Sequence, residues 1–154
     1  MVIIANCGRP PEILLIDDNL GDAKLIKIAF RHTLPRANIT VATSAEHGMS
    51  FLRAELASVP HPPPDIVFLD LNLPSMHGHT FLKLMKNDPV LATIPVIIVS
   101  SSSAERDVTE SYRLHASGFI TKPFNLEDYE AFADQFASYW FKLVQMQRTV
   151  PLAS

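Results

Sequence analysis

Short apolar runs that stop abruptly at a polar residue recur along this chain of 154 residues. Ile13-Leu14-Leu15-Ile16 runs into Asp17-Asp18, Ile66-Val67-Phe68-Leu69 into Asp70, Val96-Ile97-Ile98-Val99 into Ser100-Ser101, and Phe119-Ile120-Thr121 into Lys122. Uninterrupted runs of this length read as strands covered on both faces. Ile39-Thr40-Val41-Ala42-Thr43 supplies another strand. Between the strands the spacing turns helical. Leu20, Leu25, Ile28 and Ala29 predict a helix from Asn19 to about Phe30, with Pro35 at or just past its end. Ser44 has the look of a cap before Met49, Leu52 and Leu56. Phe81, Leu82 and Met85 mark a third helix, which Asn87-Asp88-Pro89 ends. A fourth spans about 104–115, and Asn125 caps a fifth bearing Leu126, Tyr129, Phe132, Phe136 and Trp140.

Strands that alternate with helices predict an α/β protein of three layers, with a parallel five-stranded sheet. Right-handed crossovers and a flavodoxin-like strand order 2-1-3-4-5 are the natural assembly, although the order is an assumption about the fold and not a product of periodicity. Residues 1–11 read as an N-terminal leader closed by Gly8-Arg9-Pro10-Pro11, residues 12–147 as one domain with an extended last helix, and residues 148–154 as a tail. His61-Pro62-Pro63-Pro64 is a stiff connector before the third strand.

Composition narrows the function classes. With 47% apolar and 19% charged residues, the chain reads as globular. A single cysteine, Cys7, excludes an intramolecular disulfide. No run approaches the roughly 18–20 apolar residues needed to cross a bilayer, and Met1-Val2-Ile3-Ile4 is too short for a signal peptide. The expected compartment is the cytoplasm, with no membrane partner. A net charge of −3 without a basic patch argues against direct nucleic-acid binding.

The polar residues that end the strands carry the chemistry. In open α/β sheets, ligands bind outside the C-terminal ends of the strands. The order 2-1-3-4-5 puts the first and third strands side by side, which brings Asp17, Asp18 and Asp70 to one edge. Carboxylates this close repel one another, and a hard divalent cation such as Mg²⁺ relieves the repulsion through oxygen ligands. A backbone carbonyl near Asn72 is a further candidate ligand. Lys122 adds a positive charge and Ser100 a neutral donor. The set suits phosphoryl transfer onto the Asp70 carboxylate. An isolated Asp after a strand is ordinarily a turn residue or a cap. Here the acidic doublet, Asp70, Ser100 and Lys122 each close their own strand, and the combination argues for a site.

Four stretches keep a common order and spacing: Ile13 to Asn19, Asp70-Leu71-Asn72-Leu73-Pro74 followed by Gly78, Ile94 to Ser100, and Gly118 to Phe124. On them the chain resembles the response-regulator receiver domains of two-component systems. The resemblance implies that Asp70 is the phosphoacceptor and that Asp18 and Asp70 bind Mg²⁺ directly. It adds the Asn72 carbonyl as a ligand and leaves Asp17 to help through water or from behind the ligands. Ser100 stands where the family has a Thr or Ser that swings toward the phosphoryl group, and Phe119 stands at the switch aromatic. Lys122 is the family's lysine, and its bond to Pro123 is expected to be cis. The implied function is to accept a phosphoryl group from a histidine kinase and so switch protein–protein interactions. The chain then catalyses its own phosphorylation and slow dephosphorylation and is not a metabolic enzyme.

Leu71-Asn72-Leu73-Pro74, the serines at 100–103, Ser111-Tyr112, Ile120-Thr121-Lys122 and Tyr139-Trp140-Phe141 narrow the resemblance to stand-alone regulators paired with phytochrome-type histidine kinases. These have no DNA-binding domain and dimerise through the C-terminal part. Tyr139, Trp140, Phe141, Leu143, Val144 and Met146 carry more apolar bulk than one helix stripe needs, which points the same way, to a homodimer. The chain departs from the family pattern in four places. His77 replaces the Asp often seen before Gly78, Leu73 replaces Met, Ser100 lacks the methyl of Thr, and Phe119 lacks a polar ring atom.

Two other readings compete. An aspartyl-phosphate phosphatase of the haloacid-dehalogenase type needs a second Asp two positions after the nucleophile, and that position is Asn72. A non-phosphorylated scaffold would have lost a metal carboxylate or the lysine. The histidines, His32, His47, His61, His77, His79 and His115, show no zinc-site spacing, though His77 and His79 fall near the pocket mouth.

Overall fold

The hydrophobic runs form strands because each has apolar neighbours above and below. In the computed structural model, which describes residues 10–57 and 63–143, the sheet comprises β1 (Glu12–Ile16), β2 (Asn38–Ala42), β3 (Ile66–Leu69), β4 (Val96–Ser100) and β5 (Gly118–Thr121). The order is β2-β1-β3-β4-β5 and every neighbouring pair is parallel. The helices are α1 (Leu20–Thr33), α2 (Ala45–Ala57), α3 (Gly78–Asn87), α4 (Glu105–Arg113) and α5 (Leu126–Ala137). This is the expected three-layer (βα)5 arrangement. The leader up to Arg9, His61 and Pro62 of the connector, and residues 144–154, including Val144 and the tail, lie outside the described residues.

The pleat divides the core in two, since alternate side chains of a strand face opposite ways. Leu14, Ile16, Val67, Leu69, Val96 and Ile98 meet Ala45, Met49 and Leu52 of α2 and Phe81, Leu82 and Met85 of α3. Ile13, Leu15, Ile66, Phe68, Ile97 and Val99 meet α1 and α5. The second side is aromatic. Phe68 stacks on Phe30 at 5.8 Å and meets Phe136 edge-on at 5.0 Å between ring centres. α1 and α5 are also joined near their C-terminal ends by Thr33 Oγ1, which donates to Asp134 Oδ1 at 2.5 Å.

The apolar stripe expected for α1 is rotated. Its buried residues are Ala23, Ile26, Ala29 and Phe30, while Leu20 is 66% exposed. α1 carries apolar residues on more than one side, and the demand for close contact with α5 selects the face with two alanines. Helix starts follow capping chemistry. Asn19, Ser44 and Asn125 each accept a backbone N–H from three residues on, at 3.0, 3.0 and 2.9 Å. The entry to β4 is held by Lys86. Its Nζ donates to the carbonyls of Ala92 and Ile94 at 3.1 and 2.9 Å, around a 3-10 turn at Leu91–Thr93. Burial holds this ammonium below its ordinary pKa.

α4 differs from the rest. Its buried residue is Ser111, a hydroxyl and not a hydrocarbon. α5 runs on into a π-helical turn at Ser138–Leu143. There Trp140 stacks on Phe136 at 5.8 Å and joins the α1–α5 side of its own core, while Tyr139 is 56% exposed. Phe141 and Leu143 fall on the same turn, their side chains outside the described set.

Phe68 is fully buried against Phe30, Phe132 and Phe136. Phe68→Ala is expected to cost about 3–5 kcal/mol of folding stability. Urea unfolding followed by circular dichroism measures this.

Candidate functional site

The strand ladder sets the position of the polar residues beyond the strands. Asp17 N donates to Ala42 O at 3.0 Å, Asp70 N to Ile16 O at 2.9 Å, and Lys122 N to Ser100 O at 2.8 Å. Each functional residue is therefore still tied to a neighbouring strand when its side chain leaves the sheet. Asp17 and Asp70 are 1% and 4% exposed, and Asp18 is open to solvent. Oxygens of Asp17, Asp18 and Asp70 lie within 4.8 Å of one another. The sequence brings these three together as expected.

Lys122 closes the cluster. Its Nζ contacts Asp17 Oδ2 at 2.9 Å, Asp22 Oδ2 at 2.8 Å and Asp70 Oδ2 at 3.1 Å, and its side chain is 8% exposed. Burial alone would lower this ammonium's pKa. Hydrogen bonds to Asp22 and Asp17, with the charges of Asp17 and Asp70, outweigh burial and hold it above the ordinary lysine range. Burial pushes the Asp17 carboxyl up to about 6, against the Asn19 N–H and Lys122, and the charge of Asp70 adds to the rise. The remaining oxygens have backbone partners: Asp17 Oδ1 accepts from Asn19 N at 2.9 Å and Asp70 Oδ1 from Asn72 N at 3.2 Å.

Sequence reasoning missed Asp22. An acidic residue in the first turn of a helix is ordinarily placed there by the helix dipole, so nothing in the sequence distinguishes it from a capping charge. Its distance of four residues from Asp18 was the available signal.

Ser100 is fully buried beside the lysine's strand, and its Oγ accepts from Ser102 N at 3.2 Å. Phe119, opposite Ile98 in the sheet, is half-buried against the α2–α3 side of the core. An open cavity of about 410 Å³ lies in front of Asp18, walled by residues 71–77. Ser75 Oγ ties that wall to Glu46 of α2, at 2.7 and 2.6 Å from its two oxygens. The Lys122–Pro123 bond, expected cis, is trans, as are all peptide bonds among the described residues. The trans isomer is the intrinsically favoured one, by about 0.5–1 kcal/mol.

The donor set is uniformly oxygen, and it gathers more negative charge than one ammonium balances. Such a cluster can coordinate a hard divalent cation.

Residues 13–133 match the response regulator receiver domain. The chain belongs to this family. It is 31% identical over 140 residues to Response regulator Rcp1 of Synechocystis sp., covering 90% of this chain and 95% of that protein. A crystal structure of the phosphorylated cyanobacterial phytochrome response regulator RcpA superposes with a TM-score of 0.81 at 32% identity, covering 89% of this chain and 98% of that one. The Mn²⁺-bound form of Rcp1 superposes with a TM-score of 0.79 at 30% identity, covering 90% and 99%. The chain is thus a receiver domain homologous to phytochrome-associated regulators, with the fold typical of phosphorelay proteins that act only on their own phosphoaspartate. No described helix is long and apolar enough to cross a membrane.

One departure from the receiver pattern finds an explanation. His77, in place of the common Asp, does the work of a carboxylate at the start of α3: its Nδ1 accepts from His79 N at 3.1 Å. His79 in turn meets Ser111 Oγ at 2.8 Å through Nε2. Ser111 gives its own proton to Asp107 O at 2.7 Å, so His79 is the donor of the pair. One imidazole therefore links α3 to α4. Gly78 beside it is sterically required. A Cβ there would stand 2.5 Å from Asp70 O and 2.7 Å from Leu71 Cα, both backbone atoms that cannot swing away.

Gly78→Ala is accordingly expected to lose about 1–3 kcal/mol of stability and to displace the Asp70 loop. Thermal unfolding together with amide NMR of residues 70–78 reads both effects, with the residues of β2 unshifted.

Proposed function

We propose that Asp70 accepts a phosphoryl group from a histidine kinase in a Mg²⁺-dependent reaction. The observation that carries this reading is the 3.1 Å contact between Lys122 Nζ and Asp70 Oδ2 inside a cluster of carboxylates. An ionised Asp70 oxygen attacks phosphorus, the O–P bond forms as the P–N bond of the phosphohistidine breaks, and the imidazole leaves with the electron pair. Asp18, Asp70 and the Asn72 carbonyl would hold the cation, with Asp17 behind them. Mg²⁺, when bound, supplies charge neutralisation at the phosphoryl oxygens. Lys122 stands where one of those oxygens comes to rest, and its raised pKa keeps it cationic throughout. Ser100, buried one strand away, offers a hydroxyl to a further oxygen. Inward movement of Phe119 then alters the face formed by α4, β5 and α5.

The kinase we infer is of the phytochrome type, supported by the likeness to RcpA and Rcp1 over nearly the whole of their length. The compartment is the cytoplasm, where such kinases present their phosphohistidine. We further propose a receiver domain at 12–147 between a leader and a tail, and a homodimer held by its C-terminal region. The 56% exposure of Tyr139 supports the dimer. Trp140, stacked on Phe136, contributes there by fixing the turn that carries its neighbours.

Incubation with acetyl phosphate or a phytochrome-type kinase and Mg²⁺, followed by reductive trapping and mass spectrometry, is expected to label Asp70 alone. Asp70→Asn should abolish the label, and Asp18→Ala should raise the Mg²⁺ concentration needed for it. Label on Ser100, or undiminished label in Asp70→Asn, contradicts the assignment.

Deleting residues 139–154 is expected to shift the protein toward monomer at micromolar concentration, by thirtyfold or more in dissociation constant if a central aromatic anchor worth about 2 kcal/mol is lost. Sedimentation equilibrium measures it. A wild type that stays monomeric at about 100 μM, an order of magnitude above the working range, overturns the dimer.

A further inference from the structure

Hydrogen bonds hold α4 at two points, and both converge on Asp107. At the first turn, Ser102 Oγ donates to Asp107 Oδ2 at 2.5 Å, and Ser102 N donates to Ser100 Oγ at 3.2 Å. One turn further on, Ser111 Oγ donates to Asp107 O at 2.7 Å and accepts from His79 Nε2 at 2.8 Å. Ser111 is the residue that α4 buries fully, while Val108 on the same helix is half-buried.

The two tethers lead back to the acidic pocket by different routes. Ser100 closes β4, which is paired with the strand that Asp70 follows. Its hydroxyl turns about a single bond. His79 follows Gly78, whose N donates to Leu71 O at 2.8 Å and whose Cα leaves no room for a side chain beside Asp70 O. The ring of His79 is thus carried on backbone packed tightly against the phosphoacceptor's own. One tether can turn with a hydroxyl, and the other stands on a fixed base.

We propose that His79 is a positioning residue that restrains the switch: its bond to Ser111 holds α4 in the resting place and breaks when Asp70 is phosphorylated. This rests on the reading of Asp70 as the phosphoacceptor. The Ser100 hydroxyl turns to donate to an anionic phosphoryl oxygen, and its oxygen leaves the Ser102 N–H. Ser102 moves with that change, and its bond to Asp107 draws the first turn of α4 along. Ser111, one turn away, is tied to α3, so the helix changes place only as the His79–Ser111 bond gives. The strength of that bond therefore sets how much of the unphosphorylated protein already has α4 released.

Beryllofluoride with Mg²⁺ serves as the stable stand-in for the phosphoryl group. His79→Phe keeps the bulk of a ring and has no N–H to donate, while Ser111 keeps its own bond to Asp107 O. With α4 released more of the time, this variant is expected to bind beryllofluoride roughly fivefold more tightly than wild type, the worth of one neutral hydrogen bond. Without ligand, its amide resonances over residues 100–120 should lie part-way toward the beryllofluoride-bound positions of wild type. His79→Gln, which restores an N–H donor, should bring both readouts back toward wild type. A residue that merely supported the fold would weaken binding when replaced, so an unchanged or lower affinity in folded His79→Phe overturns the proposal. In wild type, long-range ¹H–¹⁵N correlation reads His79 Nε2 directly, and beryllofluoride should move it. An unmoved Nε2 resonance overturns the proposal even if the variants fail to fold. A wild type that takes no label at Asp70 and binds no beryllofluoride overturns the underlying reading and this one with it, a result distinct from a labelled protein indifferent to His79→Phe.

Discussion

One ammonium facing three carboxylates is the arrangement on which the site depends. Lys122 bonds Asp17, Asp22 and Asp70 at 2.9, 2.8 and 3.1 Å, in surroundings where its own side chain is 8% exposed. None of these charges would be stable there alone, because a buried ion without a partner meets a desolvation cost of several kcal/mol. Together they are still not neutral, and that imbalance gives the pocket its affinity for further positive charge. The same imbalance fixes the lysine: it cannot leave one carboxylate without exposing the excess on another. The cluster is a balance that a new anionic group must disturb.

The sheet makes such a balance possible by removing freedom from the backbone. Parallel pairing of β1 with β3 sets Ile16 against Leu69, so the residues that follow emerge at the same level. Pairing of β4 with β5 sets Ser100 against Thr121, which puts Lys122 one step beyond. A one-residue slip in either pair would turn a carboxylate or the lysine toward the opposite helical layer. The large apolar side chains on both faces forbid that slip, since each would exchange its neighbours for those of the other side. Hydrocarbon packing in the core thus determines distances between charges at the edge.

Much of this was legible in the sequence. Apolar runs closed by Asp, Ser or Lys announce both the strands and the edge where chemistry gathers, and the caps at Asn19, Ser44 and Asn125 follow from short-range hydrogen bonding that sequence encodes directly. What escaped depends on three-dimensional choice. Leu20 belongs to the stripe whose spacing predicts α1, yet it lies in solvent, because α1 has more than one apolar side and the packing partner selects among them. Asp22 was passed over because its role comes from a lysine 100 residues away. His77 could not be recognised as a cap because an imbalance of residue type, histidine for aspartate, hides the shared ability to accept a backbone proton.

α4 has a different kind of attachment from its neighbours. Where α1, α3 and α5 each bury several apolar side chains, α4 buries Ser111, linked to His79 at 2.8 Å. The force that resists its displacement is therefore short-ranged and directional. A hydrocarbon interface yields in proportion to the area it uncovers, whereas a hydrogen bond is lost within about an ångström and can be exchanged for one to water. Shifting α4 pulls no fully buried apolar side chain of the helix itself out of the core. Lateral displacement of the helix therefore draws on a polar contact, while the cohesion of the sheet beneath it rests on the apolar side chains of the other layers.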